Sequence, residues 1–195
     1  MAPKPKITKE RIVEAAFHIA RESGAEQLNA RRIAQALHCS TQPVLYHFGT
    51  MAELKQAVYN KADRFHTEYL MSGPSSSKDV LRGIGLRYIR FAKEEAHLFR
   101  FLFQSGFVAE KSFPDMVDSG ELAPVLLAMN GAMKTSMAQT KQIFMTISLF
   151  AHGYASLLAN NELDYDEAQI QSHLERAYRG AMLAAQEEEN ERIGE

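Results

Sequence analysis

One cysteine, no tryptophan, six prolines and 11 glycines in 195 residues exclude several kinds of protein at once. A lone Cys39 can form no intramolecular disulfide, which removes disulfide-stapled scaffolds and fits a reducing compartment. No run of about 18 apolar residues offers a membrane span, and no basic, apolar and small-residue succession opens the chain as a secretory signal would. These absences predict a cytoplasmic chain with no membrane partner. A His-Glu-x-x-His zinc motif, a glycine-rich phosphate loop and a nucleophile elbow are also missing.

Seven histidines still invite a metal hypothesis. Glu94-Glu95-Ala96-His97 holds one Glu-x-x-His, the spacing that puts two ligands on one helix face in carboxylate-bridged di-iron bundles. Such bundles need a second copy, and Asp63-Arg64-Phe65-His66 is a poor substitute. The sequence therefore predicts no catalytic residue, no metal and no cofactor.

What is present is helical patterning. Hydrophobic residues make up 46% and charged residues 24%, enough apolar material for a folded core, and no stretch alternates with the two-residue period of a strand. The expected fold class is all-α. A first helix follows Thr8 as N-cap, carries Ile12, Ala15, Ala16, Ile19 and Ala20 on one side, and stops at Gly24. Asn29 caps a second helix, the turn at His38-Cys39 leads to a third, and a fourth runs from about Met51 to Met71.

The second and third helices carry the most specific signal. Ile33, Ala34 and Leu37 recur at helical spacing, Val44 and Phe48 repeat one turn apart after the break, and Thr41, Gln42, Tyr46 and His47 are left to face outward. Ser40 reads as the N-cap of the third helix and Pro43 falls in its first turn, where a missing N–H costs little. Two short helices with a tight turn and one polar face are how a helix-turn-helix reads DNA. Charge supports that assignment. The net charge is −2, yet residues 1–61 hold nine basic residues (Lys4, Lys6, Lys9, Arg11, Arg21, Arg31, Arg32, Lys55, Lys61) against Glu10, Glu14, Glu22, Glu26 and Glu53, a local +4 that leaves −6 elsewhere.

In the fourth helix Leu54, Ala57, Val58, Ala62, Phe65 and Tyr69 form one stripe, long enough to touch a head and a body. Ser72-Gly73-Pro74-Ser75-Ser76-Ser77 follows as a linker. The expected domains are 1–55, a three-helix head for DNA, and 56–195, a helical body for an effector and for dimerisation. In the body, helices are expected at about 78–93, 94–107, 121–136, 139–160 and 164–186, with a loop marked by Pro114. Apolar residues cover most of the circumference of the fourth of these, while Ile170, Leu174, Ala177, Tyr178, Ala181, Met182 and Ala185 form one stripe on the fifth, beside small Gly180 and Ala184. Together the two predict a four-helix seam between two copies, with Tyr154, Leu158, Leu174, Tyr178, Ala181 and Met182 at the interface.

Residues 1–60 resemble the DNA-binding domain of TetR-family transcriptional regulators: Ile12-Val13-Glu14-Ala15-Ala16, Gly24, Arg32-Ile33-Ala34, Ser40, His47-Phe48 and Glu53-Leu54 stand at that family's spacing. Tyr88-Ile89-Arg90-Phe91-Ala92, Leu98-Phe99-Arg100-Phe101-Leu102-Phe103 and His152-Gly153 resemble the family's ligand-binding half. The resemblance implies that Thr41, Gln42, Pro43 and Tyr46 face the major groove, and that His47, Asn29 and Ser40 hold phosphates, with Lys6 and Arg31 as further cationic contacts. The chain departs from the family at Leu45 and Met51, usually Tyr and Lys, and Tyr46 and Lys55 would take over those contacts. Repression of a palindromic operator by a homodimer, relieved by a small apolar or amphipathic effector, is the mode the resemblance implies. The expected effector site gathers Tyr69, Phe91, Phe101, Met133, Phe144 and His152, the last readable either as a ligand contact or as a hydrogen-bonded core histidine. Cys39 is readable either as a redox-sensitive thiol or as a small packing residue. The other class left open is a helical small-molecule-binding protein whose head no longer binds an operator.

Overall fold

The computed structural model describes residues 7–73, 80–107, 112–118 and 120–194, all helix, turn or irregular structure with no strand among them. The helices are α1 (Lys9–Ser23), α2 (Ala30–Ala36), α3 (Gln42–His47), α4 (Met51–Met71), α5 (Val80–Glu94), α6 (Ala96–Phe103), α7 (Phe113–Asp118), α8 (Ala123–Met133), α9 (Met137–Asn160) and α10 (Glu167–Gly194). They fall into two compact units, Met1–Glu68 with Glu95–Val108, and Tyr69–Glu94 with Ala109–Glu195. The units therefore do not divide at 55/56. Most of α4 belongs to the first unit because Leu54, Val58, Ala62 and His66 are buried there, and α6 returns to the same unit, packing on α1.

In the first unit, Thr8 Oγ1 accepts from Arg11 N–H at the start of α1, and Gly24 ends the helix at φ +95°. That angle lies in a region open to glycine and strained for other residues. Ile12, Ala16, Phe17 and Ala20 bury one face of α1 among Leu28, Ile33, Val44, Phe48, Leu54 and Val58. Phe17 meets Phe65 edge to face at 5.6 Å, and Lys61 pairs with Glu14 across α1 and α4. From α6, Leu98, Phe99, Phe101 and Leu102 are buried.

The second unit centres on α9, which packs against α5, α7, α8 and α10. By length and composition α9 could span a bilayer, contrary to the reading of the sequence, but its apolar residues serve several protein neighbours at once. Ser136 and Gln139 form a reciprocal capping box at its start. Asn130 Nδ2 donates to Thr135 O at 2.7 Å and to Thr140 Oγ1 at 3.0 Å, which satisfies the tight α8–α9 turn and its left-handed Lys134.

Three local expectations change. Residues around Pro114 form α7 rather than a loop, because Ser112 Oγ accepts from Asp115 N–H and proline suits a first helical turn. Asp166, not Asp164, starts α10, accepting from Gln169 N–H at 3.0 Å, and the helix runs on through its glutamates to Gly194. Between α5 and α6 the helix breaks at Glu95 (φ −122°, ψ 46°), so Glu94 and His97 do not share one helix face. Glu94 accepts from Tyr69 Oη at 2.6 Å, and His97 Nδ1 meets Arg100 Nη2 at 3.0 Å.

Candidate nucleic-acid interface

The α2–α3 unit is held from behind and open in front. Ile33, Ala34, Val44 and Phe48 are buried, and Lys9 Nζ lies 5.0 Å from the centre of the Phe48 ring. Asn29 Oδ1 accepts from Arg32 N–H at 3.0 Å, its Nδ2 donates to Gln27 O at 3.2 Å, and Arg32 Nη1 donates to Gln27 Oε1 at 2.6 Å. The Asn29 amide thus builds the start of α2, while its neighbour Arg31 stands exposed.

The turn closes in a Schellman pattern: His38 N–H bonds Gln35 O at 3.1 Å and Cys39 N–H bonds Ala34 O at 3.0 Å, with His38 in the left-handed region at φ 53°. Cys39 itself is a half-buried free thiol. The N-cap of α3 is Thr41 rather than Ser40, and no side chain caps it. Thr41 is helical in ψ, which carries the first turn one residue further than the Ser40 signal suggests. Pro43 does sit in the first turn.

On the outer face of α3, Thr41 and Gln42 are exposed, Leu45 is 56% exposed and Tyr46 is 83% exposed. A tyrosine this bare gains little from packing, and its ring meets that of His47 edge to face at 5.3 Å between centroids. Leu45, an exposed apolar residue, lies one turn from Thr41 on the same short helix.

Two of the residues expected at phosphates also have neighbours inside the first unit. His47 Nε2 donates to Ile7 O at 3.1 Å, which fastens the segment leading into α1 to the end of α3. Lys55 lines a cleft together with α6 residues. Lys6 lies outside the described residues.

The residues expected around an effector divide between the two units. Phe101 belongs to the first unit, edge to face with Tyr59 at 5.6 Å and with Phe107 at 5.6 Å, because α6 returns to that unit. The other five lie in the second unit. Tyr69 meets Phe91 edge to face at 5.3 Å, and Met133 and Phe144 flank the core cluster of Met129, Ile143, Ala181 and Ala185. Tyr88 Oη and His152 Nδ1 are 2.8 Å apart, and burial holds the His152 imidazole below the usual histidine range.

The expected seam also changes. Leu158, Leu174 and Ala181 are buried within their own chain, and Tyr178 and Met182 pack on the same internal cluster. Exposed apolar residues on the two long helices include Leu149 (59% exposed), Phe150 and Leu157 (55%) on α9 and Leu183 (60%) on α10, with Met137 at the start of α9. Gly153 and Gly180 stand in the same rows with open space where a Cβ would project. Both long helices are apolar on two sides, which the helical period alone does not tell apart.

No family model matches the chain and no curated protein matches it. Its fold is similar to that of several solved structures. A member of the TetR family from Streptomyces coelicolor has TM-score 0.60 at 16% identity, covering 86% of this chain and 96% of that one. A TetR-family transcriptional regulator structure from Rhodococcus sp. has TM-score 0.61 at 18% identity, covering 89% and 97%. One from Mesorhizobium loti has TM-score 0.58 at 14% identity, covering 90% and 95%. The chain has the all-α fold of TetR-family transcriptional regulators.

Proposed function

We propose that this chain is a cytoplasmic, ligand-responsive DNA-binding regulator that represses from a palindromic operator as a homodimer. The observation that carries the reading is the outer face of α3, where Thr41, Gln42 and an 83% exposed Tyr46 project from a helix anchored by buried Val44 and Phe48. Gln pairs bidentately with adenine, Thr and Pro touch a thymine methyl, and exposed Arg31 supplies charge to the backbone. One such head reads only a few base pairs. Two heads about 34 to 36 Å apart read successive major grooves, so the function requires a dimer. The bare face formed by Leu149, Phe150, Gly153 and Leu157 with Gly180 and Leu183 supports a four-helix seam.

The effector on this reading is small and apolar or amphipathic and binds in the second unit, near Tyr69, Phe91, Met133, Phe144 and His152. α4 is one continuous helix whose Leu54 and Val58 are core residues of the first unit and whose Tyr69 belongs to the second, which gives ligand and DNA a shared element. Coupling through it makes each ligand weaken the other reciprocally, typically by about 1 to 3 kcal/mol.

The test is a gel shift of the purified chain on the DNA upstream of its own gene, at about 50 and 200 mM salt. A retarded complex whose affinity drops by about a thousandfold or more across that range supports the reading. Absence of any complex at the lower salt refutes it and favours a helical small-molecule-binding protein.

A further inference from the structure

Within the first unit lies a cleft of about 330 Å³, lined by Ala25, Glu26, Lys55, His97, Arg100, Phe101, Gln104, Ser105 and Phe107. We infer that this cleft binds a small organic anion with an aromatic or short alkyl tail. Lys55 on α4 and Arg100 on α6 give it two permanent cations against the single carboxylate of Glu26. That carboxylate folds back over Gly24, where a Cβ would meet its Oε1 at 2.2 Å. Lys55 takes part in no ion pair among the described residues, whereas Lys61 and Lys141 are paired with Glu14 and Asp118. A half-buried lysine that takes part in no ion pair gains from an anion in the cleft.

The other groups fit a carboxylate as well. Arg100 has only donors, so its 3.0 Å contact with His97 Nδ1 makes that nitrogen the acceptor and puts the ring proton on Nε2. An ammonium, a guanidinium and an imidazole N–H form a set dominated by donors, while the Ser105 hydroxyl donates to Phe101 O. Phe101 and Phe107, in mutual edge-to-face contact at 5.6 Å with Tyr59 stacked behind Phe107, form an apolar wall. The volume is at the low end for ligand sites, which limits the occupant to about one ring or a short chain. Ala25 and Glu26 belong to the turn that leads into α2, so the occupant touches the segment preceding the helix-turn-helix. That last step rests on the DNA-binding reading; binding of the anion does not.

Calorimetric titration of the full chain with sodium benzoate and with sodium hexanoate tests the site, with benzamide as a neutral isostere and inorganic phosphate as an anion without a tail. The expected result is saturable binding of one of the two carboxylates, one per chain, with benzamide and phosphate at least tenfold weaker. Lys55→Gln and Arg100→Gln should each weaken the carboxylate at least tenfold while the chain keeps its melting temperature within a few degrees. Should Arg100→Gln fail to fold, Lys55→Gln decides alone. No saturable carboxylate binding, benzamide binding as tightly as benzoate, or affinity unchanged in Lys55→Gln overturns the inference. A parallel gel shift with and without the bound carboxylate separates the two claims: failure to bind DNA at all sinks the regulator reading and leaves the titration to judge the cleft.

Discussion

Arg21 on α1 and Glu95, 74 residues further on at the break between α5 and α6, hold each other through two hydrogen bonds, Nε to Oε2 at 2.8 Å and Nη2 to Oε1. Glu95 is buried, and the guanidinium carbon of Arg21 lies 4.9 Å from the centre of the Phe65 ring. The pair stands at the non-helical Glu95 between α5 and α6, where the chain re-enters the unit that contains the helix-turn-helix. A forked arginine and a carboxylate suit this because both bonds are made in one plane.

Removing either partner leaves the other without its mate. Because Arg21 keeps part of its surface in water, Arg21→Ala should cost about 2 kcal/mol, less than the loss from a fully buried pair. Glu95→Ala should cost a similar amount in urea unfolding. The double variant should lose less than the two singles together, and strict additivity would show that the pair contributes no coupling.

Base reading and backbone binding separate in a salt series. Gln42→Ala should cost about 1 to 3 kcal/mol on the preferred duplex and relax the preference at one base position. Arg31→Ala should weaken all duplexes alike and make the salt dependence shallower by about one unit of slope. Fluorescence anisotropy on a set of singly substituted operators distinguishes the two patterns.

Much of the DNA-reading unit was legible because its signals are local. The Thr8 and Asn29 caps, the Gly24 stop and both ends of α4 depend on residues within one turn of each other, and they stand where the pattern put them. The inner and outer faces of α9 and α10 were not legible in this way. Leu157 and Leu158 are adjacent and chemically identical, yet one is 55% exposed and the other buried, a difference set by how α5 and α8 pack on α9. The return of α6 was equally hidden, since the Arg21–Glu95 pair spans 74 residues and no periodicity reports it.

That distinction between neighbours gives a test of the seam. Leu157→Glu and Leu183→Glu should fold normally and elute as monomers with poor operator affinity, because the charge lands on the bare face. Leu158→Glu should instead unfold the chain, since burying an unpaired carboxylate in place of a core leucine costs several kcal/mol. Light scattering after size exclusion, with circular dichroism, reads both outcomes; a tight-binding monomer of Leu157→Glu would refute the face.

Acid stability should track His66. Burial on α4, edge to face with Phe103, pulls its pKa from 6.5 down to about 4. The unfolded chain therefore binds a proton that the folded chain refuses, and stability should be level above about pH 6.5 and fall by about 1.4 kcal/mol per pH unit towards pH 4. His152, lowered in the same direction, adds to the fall. His66→Leu should flatten the slope between pH 6.5 and 5 in urea unfolding; an unchanged slope would mean that His66 is protonated in the folded chain.

The central claim, that two copies of α3 read a symmetric duplex, is tested most directly by selecting binding sites for the purified chain from a random duplex library. The account expects an enriched two-fold palindrome whose half-site centres lie about one helical turn apart, with the preference relaxed at one position of each half-site in Gln42→Ala and the palindrome lost in the monomeric Leu157→Glu variant. A library that remains random after repeated selection at low salt would contradict it.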